Sequence, residues 1–158
     1  MSGSFYRESR NVELSTLEYL TTQINASWSG VTIVKSFTNA YKGSLPVVCI
    51  ALSNVLNNRR EVGSTTLLNH YTISIDIFGK SWGQTTDLAD FIVDKLKDNW
   101  TYYVYSQDSA HDTTLAKASD GQVVLERFTN NHKIEFGEDV DNYDKFRWVI
   151  ECEVRKSE

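Results

Sequence analysis

The sequence predicts an α+β fold: a mainly antiparallel sheet with two helices packed on one face and a long projecting β-hairpin. Three observations predict it. Two stretches, near residues 11–26 and 85–97, repeat apolar residues every three or four positions. Several others alternate apolar with polar residues. Between two strand-like runs lies a polar stretch, 53–66. Two amphipathic helices laid on one sheet face bury both stripes together.

The elements follow in order. Residues 1–10 read as a mobile N-terminal arm. Asn11 is a plausible cap, and Leu14, Leu17, Leu20 and Ile24 mark an amphipathic helix of about 14 residues. Its outer face carries Glu13, Glu18, Thr22 and Gln23. Val31 to Phe37 alternates as a strand, and Tyr41 to Ser44 turns the chain. Leu45 to Leu52 is apolar on both faces, as expected for a covered central strand. Pro46, the single proline, then belongs at its first positions, where a missing N–H is tolerated. Residues 53–66 form the hairpin whose tip projects beyond the body.

Tyr71, Ile73, Ile75 and Ile77 alternate strictly with Thr72, Ser74, Asp76 and Phe78, the clearest strand in the chain. After the break Gly79 to Gly83, Thr85 or Thr86 caps a second helix. Asp87 and Asp90 then fall in its positive first turn, with Lys95 and Lys97 at its negative end. Leu88, Phe91, Ile92 and Leu96, with Ala89 and Val93, form a wide stripe that must lie on a sheet. Trp100 to Tyr105 is extended and aromatic. Residues 106–121 read as an exposed loop. Val123–Phe128 and Lys133–Phe136 are two short strand candidates. Glu138 to Asp144 is an acidic turn, and Lys145 to Arg155 is the last strand.

The chain has 158 residues, the size of one ordinary domain, so 1–158 reads as a single unit. Hydrophobic residues at 41% and charged residues at 23% exclude a disordered chain. No apolar run reaches the roughly 20 residues of a membrane helix. The start, MSGSFYRESR, lacks the apolar core of a secretory signal. Asn25 and Asn99 head glycosylation sequons that matter only in a secreted protein. The net charge of −5 argues against nucleic-acid binding as a primary role, because such affinity comes from neutralising phosphates.

No catalytic signature is present: no phosphate loop, no G-x-S-x-G, no H-E-x-x-H. The expectation is a protein that is not an enzyme and uses no cofactor. Cys49 and Cys152 sit in apolar strands and read as buried free thiols. A zinc site from Cys49, Cys152, His70 and His132 has no supporting spacing. His111-Asp112 reads as a loop dipeptide rather than an acid–base pair. The acidic turn offers oxygen ligands to calcium but lacks the glycine and distal glutamate of an EF-hand. Arg59-Arg60 is either a solvated pair or a contact to carboxylate or phosphate. Trp82, Trp100, Tyr102, Tyr103 and Tyr105 cannot all enter one core, so some mark an interface.

From Leu45 to Leu96 the chain shows an apolar strand, a long polar hairpin and HYTISIDIFGKSWGQTTDLADFIVDKL. An alternating strand, a short Ser/Gly/Gln/Thr break and a D-L-A-D helix follow one another there. This arrangement resembles the tail terminator (tail completion) proteins of long-tailed bacteriophages. Leu14–Ile24 and Lys145–Arg155 occupy the positions of that family's first helix and final strand. The resemblance implies a homo-oligomeric ring, commonly a hexamer, on the end of the tail tube protein. It implies an arrest of tube growth, a surface for the head connector, and a lumen through which DNA passes without specific binding. The location it implies is the head-proximal end of the virion tail, with no membrane. An acidic ring suits a channel that must release DNA. The interface candidates are Asn57, Asn58, Arg59, Arg60 and Glu61 on the hairpin, with Trp82 and Tyr103. Alternatives are a neck or head-completion stopper protein, or a small binding module outside viruses.

Overall fold

The first helix, α1 (Glu8–Ser27), spans 20 residues and begins three positions before Asn11. The structure is a computed structural model and describes residues 7–35, 43–63, 65–105, 116–135 and 146–157. Arg7, at a left-handed φ of 65°, leads into α1, and its carbonyl accepts the Asn11 N–H at 2.9 Å. Asn11 is therefore an interior, buried helix residue rather than the cap. Residues 7–10 belong to the helix entry and not to an arm; residues 1–6 lie outside the described residues. Tertiary bonds explain the extra turn. The Glu8 carboxylate accepts from the Tyr71 hydroxyl at 2.5 Å, and Arg10 donates to the Tyr105 carbonyl at 3.1 Å. Local propensity carries no trace of such partners.

Six strands follow: β1 (Thr32–Val34), β2 (Val47–Arg59), β3 (Leu67–Phe78), β4 (Trp100–Tyr105), β5 (Lys117–Ile134) and β6 (Arg147–Ser157). They form one curled sheet in the order β1-β2-β3-β6-β5-β4. Four neighbouring pairs are antiparallel, while β1 lies parallel to β2, so the sheet is mixed. Pro46 stands just ahead of β2, where its carbonyl accepts from Thr32 N–H. The register of β2 with β3 runs from Val47↔Phe78 to Arg59↔Leu67.

The second helix, α2 (Trp82–Leu96), starts earlier than Thr85 or Thr86 would place it. Ser81 is the cap, and its Oγ accepts from Gln84 N–H at 3.2 Å. The Gln84 side chain returns a bond to Lys80 N–H at 2.9 Å, the reciprocal logic of a capping box. Asp87 and Asp90 thus fall in the body of the helix. Thr85 is buried and donates to carbonyls of Ser81 and Phe146. Gly79 is required beside it, because a Cβ there would meet Thr85 Oγ1 at 2.0 Å.

Residues 117–121, expected in a loop, lie at the start of β5, and 106–115 are outside the described residues. Val123–Phe128 and the start of the second candidate, Lys133 and Ile134, lie on one strand; Phe136 is outside the described residues. The ladder of β5 with β6 slips between Leu125 and Arg127 and again between Phe128 and Asn130. Each bulge breaks the two-residue alternation that would have joined them.

Both helices feed the one large apolar cluster. Val12, Leu14, Leu20 and Ile24 of α1 and Leu88, Ile92 and Leu96 of α2 meet Ile50, Ile73, Ile75, Ile77, Ile150 and Cys152. Phe91 and Val93 are only half-buried at its edge, with Phe91 set edge-on to Trp28. A small second cluster, Val47, Cys49 and Phe78, sits on the other sheet face.

Candidate interaction surfaces

The hairpin margin is built from polar residues that the ladder leaves outside the core. From Leu56 to Gly63 every residue is exposed. Asn57 donates to Asn69 Oδ1 at 2.5 Å, and Asn58 and Arg59 stand opposite Leu68 and Leu67. Arg60 N–H donates to Thr66 at 3.2 Å, and Gly63, at φ 84°, makes the turn. Among the described residues neither Arg59 nor Arg60 has a carboxylate partner. Leu56 is 51% exposed on the same segment.

The other two candidates lie elsewhere. Trp82 opens α2, edge-on to Phe146 at 5.4 Å, with Lys133 Nζ over its ring at 5.1 Å. Tyr103 lies on β4, edge-on to Tyr105, with Lys117 Nζ 4.3 Å from its ring centroid. Both aromatics are half-buried by contacts within the chain. The structure thus joins five candidates on one hairpin and places Trp82 and Tyr103 on separate elements.

Sequence reading missed the polar row of α1. Ser15 Oγ accepts from Tyr103 N–H at 2.9 Å, and Asn11 Oδ1 accepts from Tyr105 N–H at 3.3 Å. Asn11 also donates to the Tyr102 hydroxyl, and Trp100 Nε1–H donates to Thr16 Oγ1. Glu18 accepts from the Tyr105 hydroxyl and pairs with Lys117. On the far side Glu13 accepts from Leu52 N–H at 2.7 Å, where the β2 register slips. One helix thereby ties β4 to β2 across the curl. The only trace in the sequence is that Asn11, Ser15 and Thr16 interrupt the apolar stripe. A shallow cleft of about 170 Å³ between α1 and β4 is lined by Ser15, Glu18, Tyr19, Thr22, Thr101 and Tyr103, among others. That is below the usual size of a small-molecule site.

The outer sheet face carries charge pairs: His70 with Glu126 at 2.6 Å, Arg127 bidentate on Glu153, and Arg147 with Asp76 at 2.7 Å. Arg127 holds the Glu153 carboxyl below its ordinary range. Cys49 lies on this face beside Asp76, whereas Cys152 lies in the main core. The two thiols therefore do not converge on one ion. Burial pushes Cys49 up to about 11, with Asp76 adding to the effect, and Cys152 up to about 12. Neither is a nucleophile at neutral pH. Among the described residues no group of three or more His, Cys, Asp or Glu could hold a metal. No described helix is long and apolar enough to cross a membrane. His111-Asp112 and the acidic turn 138–144 lie outside the described residues. The chain matches no protein-family model and no curated protein.

Proposed function

We propose that this chain is a structural virion protein of the tail-terminator kind. Copies assemble into a ring, six in the commonest arrangement, that caps the tail tube and presents a face to the head connector. The observation that carries the reading is the order of elements. A first helix precedes a short strand, a strand that runs into a long polar hairpin, an alternating strand, a capped helix, two further strands and a final long strand. That is the order on which the resemblance to tail terminators rests. The exposed hairpin supports it further. Asn57, Asn58, Arg59, Arg60 and Glu61 add nothing to a core, and ordering such a segment has an entropic cost that a partner would offset. A tip projecting from the body would reach a neighbouring subunit or the tube end. There Arg59 and Arg60 would pair with carboxylates in bidentate geometry. The net charge of −5 per copy favours a lumen that lets DNA slide.

Negative-stain imaging of the protein mixed with purified tail tubes tests the proposal. The expected result is a ring at one tube end and tubes that no longer elongate. Bare tubes that continue to grow, at saturating protein, would rule the capping role out.

A further inference from the structure

The sheet has two ends, and each end is stepped. At one end β1 covers only Val47–Cys49 of β2. At the other, β4 covers only part of β5, from Lys117 to Val123. Among the described residues, two straight stretches of strand margin are left without a neighbour. One is Asn54–Arg59 of β2, beyond its bulge; the other is Asn130–Ile134 of β5, beyond its second bulge. They are of similar length and lie toward opposite ends of the sheet.

The ladder fixes which backbone groups look outward. Arg60 N–H bonds inward to Thr66, so the alternate set Val55, Asn57 and Arg59 faces away from β3. Gly79 N–H bonds to Phe146, which turns Arg147, Val149 and Glu151 toward β5. Their partners Ile134, His132 and Asn130 bond inward, leaving Asn131 and Lys133 facing out. An unpaired row of N–H and C=O groups is a template for another strand.

The third long margin, that of β4, is not such a template. Ser15 and Asn11 already accept the Tyr103 and Tyr105 N–H groups, and Arg10 donates to the Tyr105 carbonyl. The chain closes that edge with its own helix and leaves the other two open.

We infer that Asn54–Arg59 of one copy pairs with Asn130–Ile134 of the next, joining the sheets of neighbouring subunits. Chain direction supports this occupant over others. Each antiparallel step reverses direction, so β2 and β5 run oppositely in one molecule. Two copies in the same orientation therefore meet antiparallel. The contact uses different surfaces on each side, so it propagates around a ring instead of stopping at a dimer. The steps also fit. The free part of β2 is its hairpin half, whereas the free part of β5 is its opposite half in height. Pairing them staggers the copies, and a closed ring absorbs a stagger through strand tilt, as a barrel does.

This joint rests on the ring reading above, and the test separates the two. Hydrogen exchange read by mass spectrometry is compared between dilute monomer and protein assembled at high concentration or on tail tubes. The expected result is at least tenfold slower exchange in peptides covering 54–59 and 130–134, and little change in β4. Asn57→Pro removes one outward N–H at a margin where proline is tolerated. It should weaken assembly at least tenfold while the monomer keeps its circular dichroism spectrum. Should that variant not fold, the exchange comparison on the native chain still decides. Assembly without protection at the two margins overturns the joint and leaves the ring standing. Failure to assemble at all, with tubes present, overturns the ring and the joint with it.

Discussion

The margin of β4 and the hairpin half of β2 are both sheet edges, and the chain finishes them in opposite ways. Along β4, buried side chains of α1 bind the outward backbone, and Tyr19 stacks on Trp100 with ring centroids 5.3 Å apart. Along β2 beyond Leu52, backbone and arginines face solvent. The contrast lies in where the polar residues of a small domain find their partners. Buried hydrogen bonds contribute little net stability when formed, yet one left unmade is costly. A margin closed this way is committed to the fold. A margin left open contributes little to the fold and is free for a partner.

Leu20→Ala should have the largest effect, because it loosens α1, the element that closes β4. Leu20 is fully buried, so a loss of about 2–5 kcal/mol in urea unfolding is expected. Asn11→Ala comes next. It strips the Tyr105 N–H and the Tyr102 hydroxyl of a partner, and about 1–3 kcal/mol should go with them. If Asn11→Ala were silent, the closed edge would be no different in kind from the open one.

Alkaline titration sharpens the contrast. Burial pushes the Tyr102 and Tyr105 hydroxyls up to about 12 from an ordinary 10.0. A folded value above the unfolded one means that their contribution is complete below pH 10 and is lost as pH rises through about 12. Stability measured by denaturant should therefore fall above pH 10, in step with tyrosinate absorbance. Replacing Arg59 and Arg60 together by Ala should have the smallest effect on the monomer, within about 0.5 kcal/mol. The same double variant should impair tube capping, read as tails of irregular length. Normal tails from it would mark both arginines as ordinary solvated charges.

The open edge was far more legible in the sequence than the closed one. Consecutive polar residues from Asn57 to Glu61 admit few readings. The strict alternation of β3 and the stripe of α2 are likewise visible, because period and burial coincide there. The start of α1 was not visible, since Glu8 and Arg10 find their partners 63 and 95 residues away. Nor was β5, whose bulges scramble its period. Asn11 and Ser15 look like local caps or surface residues; their real partners are the backbone of a strand some ninety residues on. The cap of α2 is hidden by the threonines that follow it, because Ser81 and Gln84 make the reciprocal bonds.

Residue-resolved amide exchange on the dilute monomer, followed by NMR, tests the contrast between the two margins most directly. The Tyr103 and Tyr105 amides, though on an edge strand, should exchange as slowly as interior amides of β3. The Val55 and Asn57 amides should exchange at close to unprotected rates, because nothing within the described chain receives them. Fast exchange at Tyr103 and Tyr105, or strong protection at Val55 and Asn57 in the monomer, would contradict the account.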